Sequence, residues 1–281
     1  MLKLTDGIVE LYKKVATSLP PDMESVIAEA CGTEDEDSSC KYSLDVILKN
    51  IKIARKNMVP ICQDTGVPIF FVKIPVGINQ KEIKKSILEA TKKATEIIPL
   101  RPNAVDILTG SNSGNNTGIG FPVIYMEETE KDTLTMELLL KGSGSENVGI
   151  TYKLPDESIN AQRDLEGVRN CIIDAVYKAQ GRACPPYTVG VGIGATKDQV
   201  AVLSKKQLLR KLNDINPVSR LRNLEQALPG ELNGLGIGVL GFGGKTSVLG
   251  VKIGVNHRHP ASYFVDISFG CWANRRGTLL W

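Results

Sequence analysis

One short stretch separates a helix-like pattern from a strand-like pattern, and it reads Val59-Pro60-Ile61-Cys62-Gln63-Asp64-Thr65-Gly66-Val67-Pro68. Two prolines enclose the loop, and Gly66 lets its backbone turn sharply. A thiol, an amide and a carboxylate stand side by side between two stiff elements, which is typical of a functional site. A turn with a buried thiol explains the same residues, because free cysteines are among the most buried residue types.

The composition of the 281-residue chain is ordinary for a globular protein, with 42% apolar and 23% charged residues. A net charge of +3 and an aromatic content of 5% argue against binding to nucleic acid or to an anionic membrane. No apolar run approaches the roughly 20 residues that span a bilayer. Residues 1–16 have the pattern of an amphipathic helix rather than of a signal peptide. We therefore predict a cytoplasmic protein without membrane or nucleic-acid partners.

Helical and strand-like patterns mix along the chain without a long linker or an internal repeat. This predicts a mixed α/β (α+β) fold in one domain over residues 1–281. A helical N-terminal subdomain is expected over about residues 1–60. A mixed helix/strand core that carries the loops of the site is expected over about residues 61–281.

Four local expectations follow from turn and cap signals. Asp22 is expected to cap a short helix after two prolines. Residues 121–126 and 134–140 are expected to form a strand pair, and residues 141–147 a glycine-rich loop. The last strand is expected at residues 265–269, just before Cys271.

Three glycine motifs nearly match nucleotide-binding patterns. Gly236–Gly241 fits G-x-G-x-x-G but leads into a strand-like run instead of a helix. Gly190–Ala195 fits a looser form, with only Asp214 as a possible acidic partner. Gly244-Lys245-Thr246 resembles the end of a P-loop, yet Val239 stands where the first glycine belongs. We interpret these glycines as sites of tight backbone packing or as a substrate loop.

The chain has six cysteines, which in a reducing compartment are thiols or metal ligands: Cys31, Cys40, Cys62, Cys171, Cys184 and Cys271. Cys171 lies on the apolar stripe of a predicted helix and is expected in the core. Cys62, Cys184 and Cys271 each lie on a glycine- or proline-containing loop. If these three converged, they would suit an iron–sulfur or zinc site with one coordination position left open. Their separations carry no local signature.

Several runs occur in a fixed order along the chain: Cys62–Gly66, Leu100–Asp106, Gly110 with Asn115-Asn116, Lys141–Glu146, Cys184-Pro185-Pro186, Gly234–Gly238, Gly243–Thr246, and His259–Ser262 leading to Cys271. Together they resemble the class I fumarate hydratase family of iron–sulfur hydro-lyases, which also includes L-tartrate dehydratase. The resemblance extends over nearly the whole chain. It identifies the chain with the α subunit, or with the N-terminal domain of the fused single-chain form.

The resemblance implies a [4Fe-4S] cluster held by Cys62, Cys184 and Cys271, with one iron that has no protein ligand and acts as a Lewis acid. It also implies two catalytic residues, Asp64 and His259, and four substrate-binding positions, Gln63, Asp64, Arg101 and the backbone at Gly144. Taken without the resemblance, Arg101 is a surface arginine after a helix, and His259 is a structural histidine. His257, two residues earlier, competes with His259 for the role.

The function that the resemblance implies is reversible hydration of fumarate to (S)-malate. The near alternative is dehydration of L-tartrate to oxaloacetate, and a non-catalytic metal-binding module is a third reading. The chain stops at Trp281, so the second domain of the fused enzymes has no counterpart in it. A separate β subunit is therefore expected to complete the active site, in an α2β2-type assembly. Cys31 and Cys40 match nothing in the family pattern.

Overall fold

The structure is a computed structural model that describes residues 3–281. Met1 and Leu2, which begin the predicted N-terminal helical pattern, lie outside the described residues. No helix among the residues described is both long and apolar enough to cross a bilayer.

The helices are α1 (Leu4–Thr17), α2 (Pro21–Thr33), α3 (Ser39–Asn57), α4 (Gln80–Ile97), α5 (Ser143–Asn147), α6 (Leu165–Ala179), α7 (Lys197–Gln207) and α8 (Ser219–Asn233). The strands are β1 (Val67–Pro75), β2 (Val123–Thr129), β3 (Thr135–Lys141), β4 (Ile150–Lys153), β5 (Tyr187–Gly194), β6 (Val248–Val255), β7 (Phe264–Gly270) and β8 (Arg275–Leu280). This mixture confirms the predicted α/β (α+β) class. Between residues 3 and 60, the regular elements are the three helices α1, α2 and α3.

The chain forms two compact units. Unit 1 comprises the described residues up to Pro20 together with Lys49–Ser143 and Arg275–Trp281. Unit 2 comprises Pro21–Leu48 and Gly144–Asn274. The three N-terminal helices are therefore shared between the units. A single domain over residues 1–281 stays a prediction, because compactness alone does not test independent folding.

Unit 1 is built on a four-stranded sheet in the order β2-β1-β3-β8. Strands β1 and β2 are parallel, and the other two pairs are antiparallel. Helices α1 and α4 pack on the sheet, where Tyr12 bonds to Thr91 at 2.8 Å and meets Phe70 edge to face. The predicted strand pair of residues 121–126 and 134–140 was wrong, because β1 lies between β2 and β3. Strand β1 is buried along most of its length and therefore takes a central position.

Unit 2 contains a second sheet in the order β4-β7-β5-β6. Side chains of α6 and α8 form an apolar core with this sheet. Helix α7 packs so closely on β5 that a Cβ at Gly190 would lie 2.3 Å from the Ser204 carbonyl oxygen. A Cβ at Gly192 would lie 2.3 Å from the Val200 carbonyl oxygen. Tight helix–sheet packing, one of the two interpretations of these glycines, therefore explains this run.

The turn that resembles a P-loop is closed by a carboxylate of the same unit. Glu34 is buried and accepts the backbone N–H groups of Lys245 at 3.0 Å and Thr246 at 2.8 Å. The thiol of Cys40 donates to the carbonyl of Gly243, and the thiol of Cys31 donates to an Asp45 carboxylate oxygen at 3.4 Å. These N–H groups hold a side chain instead of a phosphate, and the two cysteines without a family match have packing contacts.

Three further local expectations were wrong. Asp22 does not cap a helix: it lies inside the first turn of α2 and accepts the Leu212 N–H at 2.8 Å. Residues 143–147 of the expected loop form the one-turn helix α5. Residues 265–269 were expected to form the last strand, but strand β8 follows them. It was not predicted because its charged and polar residues do not alternate regularly with apolar ones.

Candidate active site

The Cys62 loop in unit 1 is fixed at both of its ends. Before it, the N–H of Ile61 donates to the Ala16 carbonyl at 3.0 Å. After it, Gly66 has a φ of +87°, and a Cβ there would lie 2.7 Å from the Leu140 carbonyl carbon. Only glycine fits this conformation and this approach. The loop leaves Cys62 half-buried and Gln63 exposed.

Asp64 connects this loop to the end of β3. Its Oδ1 accepts the N–H of Gly66 at 3.0 Å, and its Oδ2 accepts the N–H of Ser143 at 2.7 Å. Each carboxylate oxygen keeps a second lone pair for another donor. The backbone therefore fixes the Asp64 carboxylate in place while leaving it able to accept a further hydrogen bond.

Arg101 follows α4 on an exposed loop of the same unit. Its carbonyl accepts a hydroxyl bond from Thr65 at 3.4 Å and an amide bond from Asn116 at 3.1 Å. Within residues 3–281 the Arg101 guanidinium has no hydrogen-bond or ion-pair partner. The backbone of this residue is therefore held beside the Cys62 loop, while its charged fork remains available to an anion.

In unit 2, the sheet brings Cys184 and Cys271 to the same end of two inner strands, which we name the Cys184–Cys271 edge. Strands β5 and β7 are antiparallel, with Thr188 opposite Gly270, so the start of β5 and the end of β7 coincide. Cys184 precedes β5 and Cys271 follows β7. The N–H of Trp272 donates to the Cys184 carbonyl at 3.2 Å, which ties the two loops together. Cys184 is exposed and Cys271 is half-buried.

Tyr187 lies beneath this pair. Burial raises the pKa of its hydroxyl to about 12, and the nearby thiols of Cys184 and Cys271 act in the same direction. Both cysteines thus lie within electrostatic reach of one side chain. No disulfide joins any of the six cysteines, all of which lie within residues 3–281. Cys171 is fully buried, as predicted, and burial raises the pKa of its thiol to about 12.

Gly144 lies beside the Cys184 loop, because a Cβ on it would be 3.7 Å from the Arg182 carbonyl oxygen. His259 lies elsewhere in unit 2, on the exposed loop between β6 and β7. That loop is at the opposite end of the strands from Cys184 and Cys271, roughly 20 Å away for strands of this length. His259 Nδ1 accepts the Ala261 N–H at 3.1 Å. His257 is exposed on the same loop, so the structure does not favour either histidine.

The three cysteines with a predicted metal role are divided between the units. Cys62 belongs to unit 1, and Cys184 and Cys271 belong to unit 2. Within either unit, residues 3–281 contain no group of three or more His, Cys, Asp or Glu side chains that could hold a metal ion. The thiol chemistry of the set fits an iron–sulfur cluster.

Sequence reasoning assigned no role to Thr65, Asn103 and Asn116, which connect the Cys62 loop to the Arg101 loop. The side chain of Asn103 donates to the Thr65 hydroxyl at 3.3 Å and to the Gly66 carbonyl at 3.2 Å. A signal was present, because asparagine in a glycine-rich loop often adopts left-handed backbone angles and bonds to the main chain. The partners of such a residue cannot be read from the sequence.

Comparison with known proteins gives one consistent family. The model of the fumarate hydratase (Fumerase) family matches residues 5–279. A Geobacillus stearothermophilus protein assigned as a class I fumarate hydratase is 47% identical over 279 residues, which are 98% of this chain and 54% of that protein. The chain therefore spans about half the length of that relative.

Two further relatives are matched over most of their length. A Methanocaldococcus jannaschii protein assigned as an L(+)-tartrate dehydratase α subunit is 42% identical over 98% of this chain and 96% of its own. The L(+)-tartrate dehydratase α subunit of Escherichia coli K12 is 36% identical over 99% of this chain and 90% of its own.

Proposed function

The chain belongs to the fumarate hydratase (Fumerase) family, and from this membership we propose that it is the α subunit of a two-subunit [4Fe-4S] hydro-lyase. Its reaction would be the reversible hydration of fumarate to (S)-malate. The structural observation that carries the proposal is the bond from the Trp272 N–H to the Cys184 carbonyl, which holds two of the three expected cluster ligands at the Cys184–Cys271 edge.

Cys62, Cys184 and Cys271 would hold the cluster through their thiolates. The exposure of Cys184 and the half-burial of the other two suit ligands that must meet a cofactor and a substrate. When bound, the cluster supplies an iron with an open coordination position, which is Lewis-acid chemistry for a substrate hydroxyl.

Substrate contacts fall to residues around these thiols. The guanidinium of Arg101 would bind one carboxylate of the substrate through two parallel hydrogen bonds. Gln63 would add a side-chain contact, and the backbone at Gly144 would contact a carboxylate. Asp64 would accept the hydroxyl proton on a free lone pair of its fixed carboxylate. His259 is proposed as a second proton-handling group, although its loop lies at the opposite end of the strands from Cys184 and Cys271.

A separate β subunit would complete the site in an α2β2-type assembly in the cytoplasm. The names of two relatives support this, because both are called α subunits.

Dehydration of L-tartrate to oxaloacetate is the second candidate function. It is favoured by the two relatives that this chain matches at nearly full length, since both carry the tartrate name. A non-catalytic metal-binding module is less well supported. It gives no reason for a fixed carboxylate to lie on the Cys62 loop itself. It also gives none for an arginine whose guanidinium has no partner within residues 3–281 to lie on a loop hydrogen-bonded to the Cys62 loop.

The experiment is to prepare the chain and a β-type chain of the same organism anaerobically with iron and sulfide. Fumarate hydration and L-tartrate dehydration are then assayed with each chain alone and with both together. We expect fumarate turnover only in the mixture. Faster tartrate turnover would select the alternative. An iron-loaded mixture without activity on either substrate would contradict both functions.

A further inference from the structure

A buried asparagine fixes the loop that carries Arg101. Asn116 is 2% exposed and has a φ of +57°, a left-handed conformation that asparagine tolerates well. Its Oδ1 accepts the N–H of Asn103 at 2.7 Å. Its Nδ2 donates to the Arg101 carbonyl at 3.1 Å and to the Thr95 hydroxyl at 3.1 Å. Both of its donors are thus in use, and only an amide side chain supplies this combination.

Asn103 continues the connection to the Cys62 loop. Its backbone N–H is held by Asn116, and its side chain donates to the Thr65 hydroxyl and the Gly66 carbonyl. The Thr65 hydroxyl in turn bonds to the Arg101 carbonyl at 3.4 Å. These contacts form a closed network of four residues, which we name the asparagine clamp: Thr65, Arg101, Asn103 and Asn116.

We infer that Asn116 and Asn103 are positioning residues for substrate binding. They set the main chain of Arg101 relative to Cys62, Gln63 and Asp64, and so determine where the guanidinium meets a substrate carboxylate. The inference rests on the proposed function. It goes beyond it by assigning the geometry of carboxylate recognition to two amides that would not touch the substrate.

Arg101 is held through its backbone rather than through its side chain. The Arg101 guanidinium is exposed and has no partner among residues 3–281, so nothing at the end of the side chain holds it. Its carbonyl carries two hydrogen bonds from the clamp, so its position is set from the backbone side. A guanidinium that shifts away from the substrate carboxylate loses a contact made equally in the ground state and the transition state, so loss of the clamp is expected to raise KM and leave kcat nearly unchanged.

The first test uses Asn116→Asp and Asn103→Asp. Each keeps the size of the side chain and its acceptor oxygen but removes the amide donors. Asn112→Asp is the matched control, because Asn112 lies exposed on the same loop and donates only to the Pro102 carbonyl, at 3.0 Å. In the two-chain enzyme we expect N116D to raise KM about tenfold with kcat within about twofold, whereas N112D changes neither.

A double-mutant cycle separates positioning from general structural support. If Asn116 acts through Arg101, then N116D has no further effect on KM in an Arg101→Met background. A purely structural role predicts instead a fall in kcat through loss of active enzyme, and additive effects in the double variant. Unchanged KM in N116D, or additive KM effects, would overturn the inference.

A measurement on the chain alone keeps the inference separate from the proposed function. Amide hydrogen exchange in residues 62–66 is expected to accelerate about tenfold in N116D and N103D but not in N112D. Equal exchange in all variants would overturn the clamp whatever the activity. If exchange is faster in N116D and N103D but the wild-type two-chain mixture acts on neither dicarboxylate, the proposed function is contradicted. The clamp would then fix the loop without positioning a substrate.

Discussion

The two regions that carry the expected cluster ligands are held in different ways. In unit 1, the Cys62 loop depends on side chains: Asp64, Thr65, Asn103 and Asn116 supply most of the bonds around it. In unit 2, Cys184 and Cys271 depend on the main chain, through antiparallel pairing of β5 with β7 and the Trp272 N–H bond. A substitution that removes a hydrogen-bonding side-chain group should therefore disturb the first region. The second should be disturbed by a substitution whose added atoms collide with the backbone.

The difference matches the work proposed for each region. The Cys62 loop would bring substrate-binding side chains to the cluster, and polar loops hold such groups through local hydrogen bonds. The Cys184–Cys271 edge would hold two metal ligands, with no substrate-binding side chain assigned to it, and a paired strand end provides a rigid support for them.

The largest effect is expected from loss of a cluster ligand, and it is expected to be the same in both regions. Cys62→Ser and Cys271→Ser each remove a thiolate, so activity of the two-chain enzyme should fall at least about a hundredfold. Cys171→Ala is the control, because this core cysteine lies in neither loop. Normal iron content and activity in either serine variant would show that its region does not hold the cluster.

The next largest effect is expected where the backbone of unit 2 is most crowded. Gly192→Ala places a Cβ 2.3 Å from the Val200 carbonyl oxygen, so the free energy of unfolding should fall by about 1–3 kcal/mol or more. Gly230→Ala in α8 is the control, because nothing lies within 4 Å of its added Cβ. Urea unfolding of both variants measures this. Equal stability would contradict the packing described for α7 on β5.

A smaller effect is expected from a single hydroxyl in the side-chain-held region. Thr65→Val keeps the shape of a buried residue but removes two hydrogen bonds of the asparagine clamp, so the free energy of unfolding should fall by about 1 kcal/mol. Thr133→Val makes the same exchange at an exposed position whose hydroxyl has no hydrogen-bond partner within residues 3–281, and it should stay within about 0.5 kcal/mol. Urea unfolding that ranks the two variants equally would count against the clamp.

The last effect is confined to alkaline pH and arises at Tyr187, next to the Cys184–Cys271 pair. Burial raises the pKa of Tyr187 to about 12 in the folded chain, above the value of about 10 for an exposed tyrosine. Its contribution to stability is therefore complete below about pH 10 and is lost as the pH rises towards 12. Tyr187→Phe should flatten the fall in unfolding free energy over that interval. Parallel curves for both proteins would contradict the burial assigned to this hydroxyl.

Sequence reasoning predicted most of what depends on local pattern. The helix at α4 and the strand at β1 follow from apolar periodicity, and the turn at Gly66 follows from glycine chemistry. Strand order did not follow, because pairing of β1 between β2 and β3 is decided by burial of both faces of β1. Strand β8 was missed because Arg275 and Arg276 are buried, which a sequence does not reveal.

The candidate site was predicted as a set of residues rather than as a geometry. The resemblance supplied Cys62, Cys184 and Cys271, and strand pairing explains how the last two meet. The asparagine clamp was missed because its bonds join residues 13 to 38 positions apart. Separations of that kind are fixed only when the loops pack. The position of His259, at the opposite end of the strands from Cys184 and Cys271, likewise depends on sheet topology.

The most direct test of the account is the iron and sulfide content of the chain after anaerobic reconstitution, measured beside the variant in which Cys62, Cys184 and Cys271 are all serine. If the two differently supported regions serve one cluster, the wild-type chain binds about four iron and four sulfide, and the variant binds almost none. Wild-type chain without iron, or equal iron in both proteins, would contradict the proposal that these three cysteines hold a cluster.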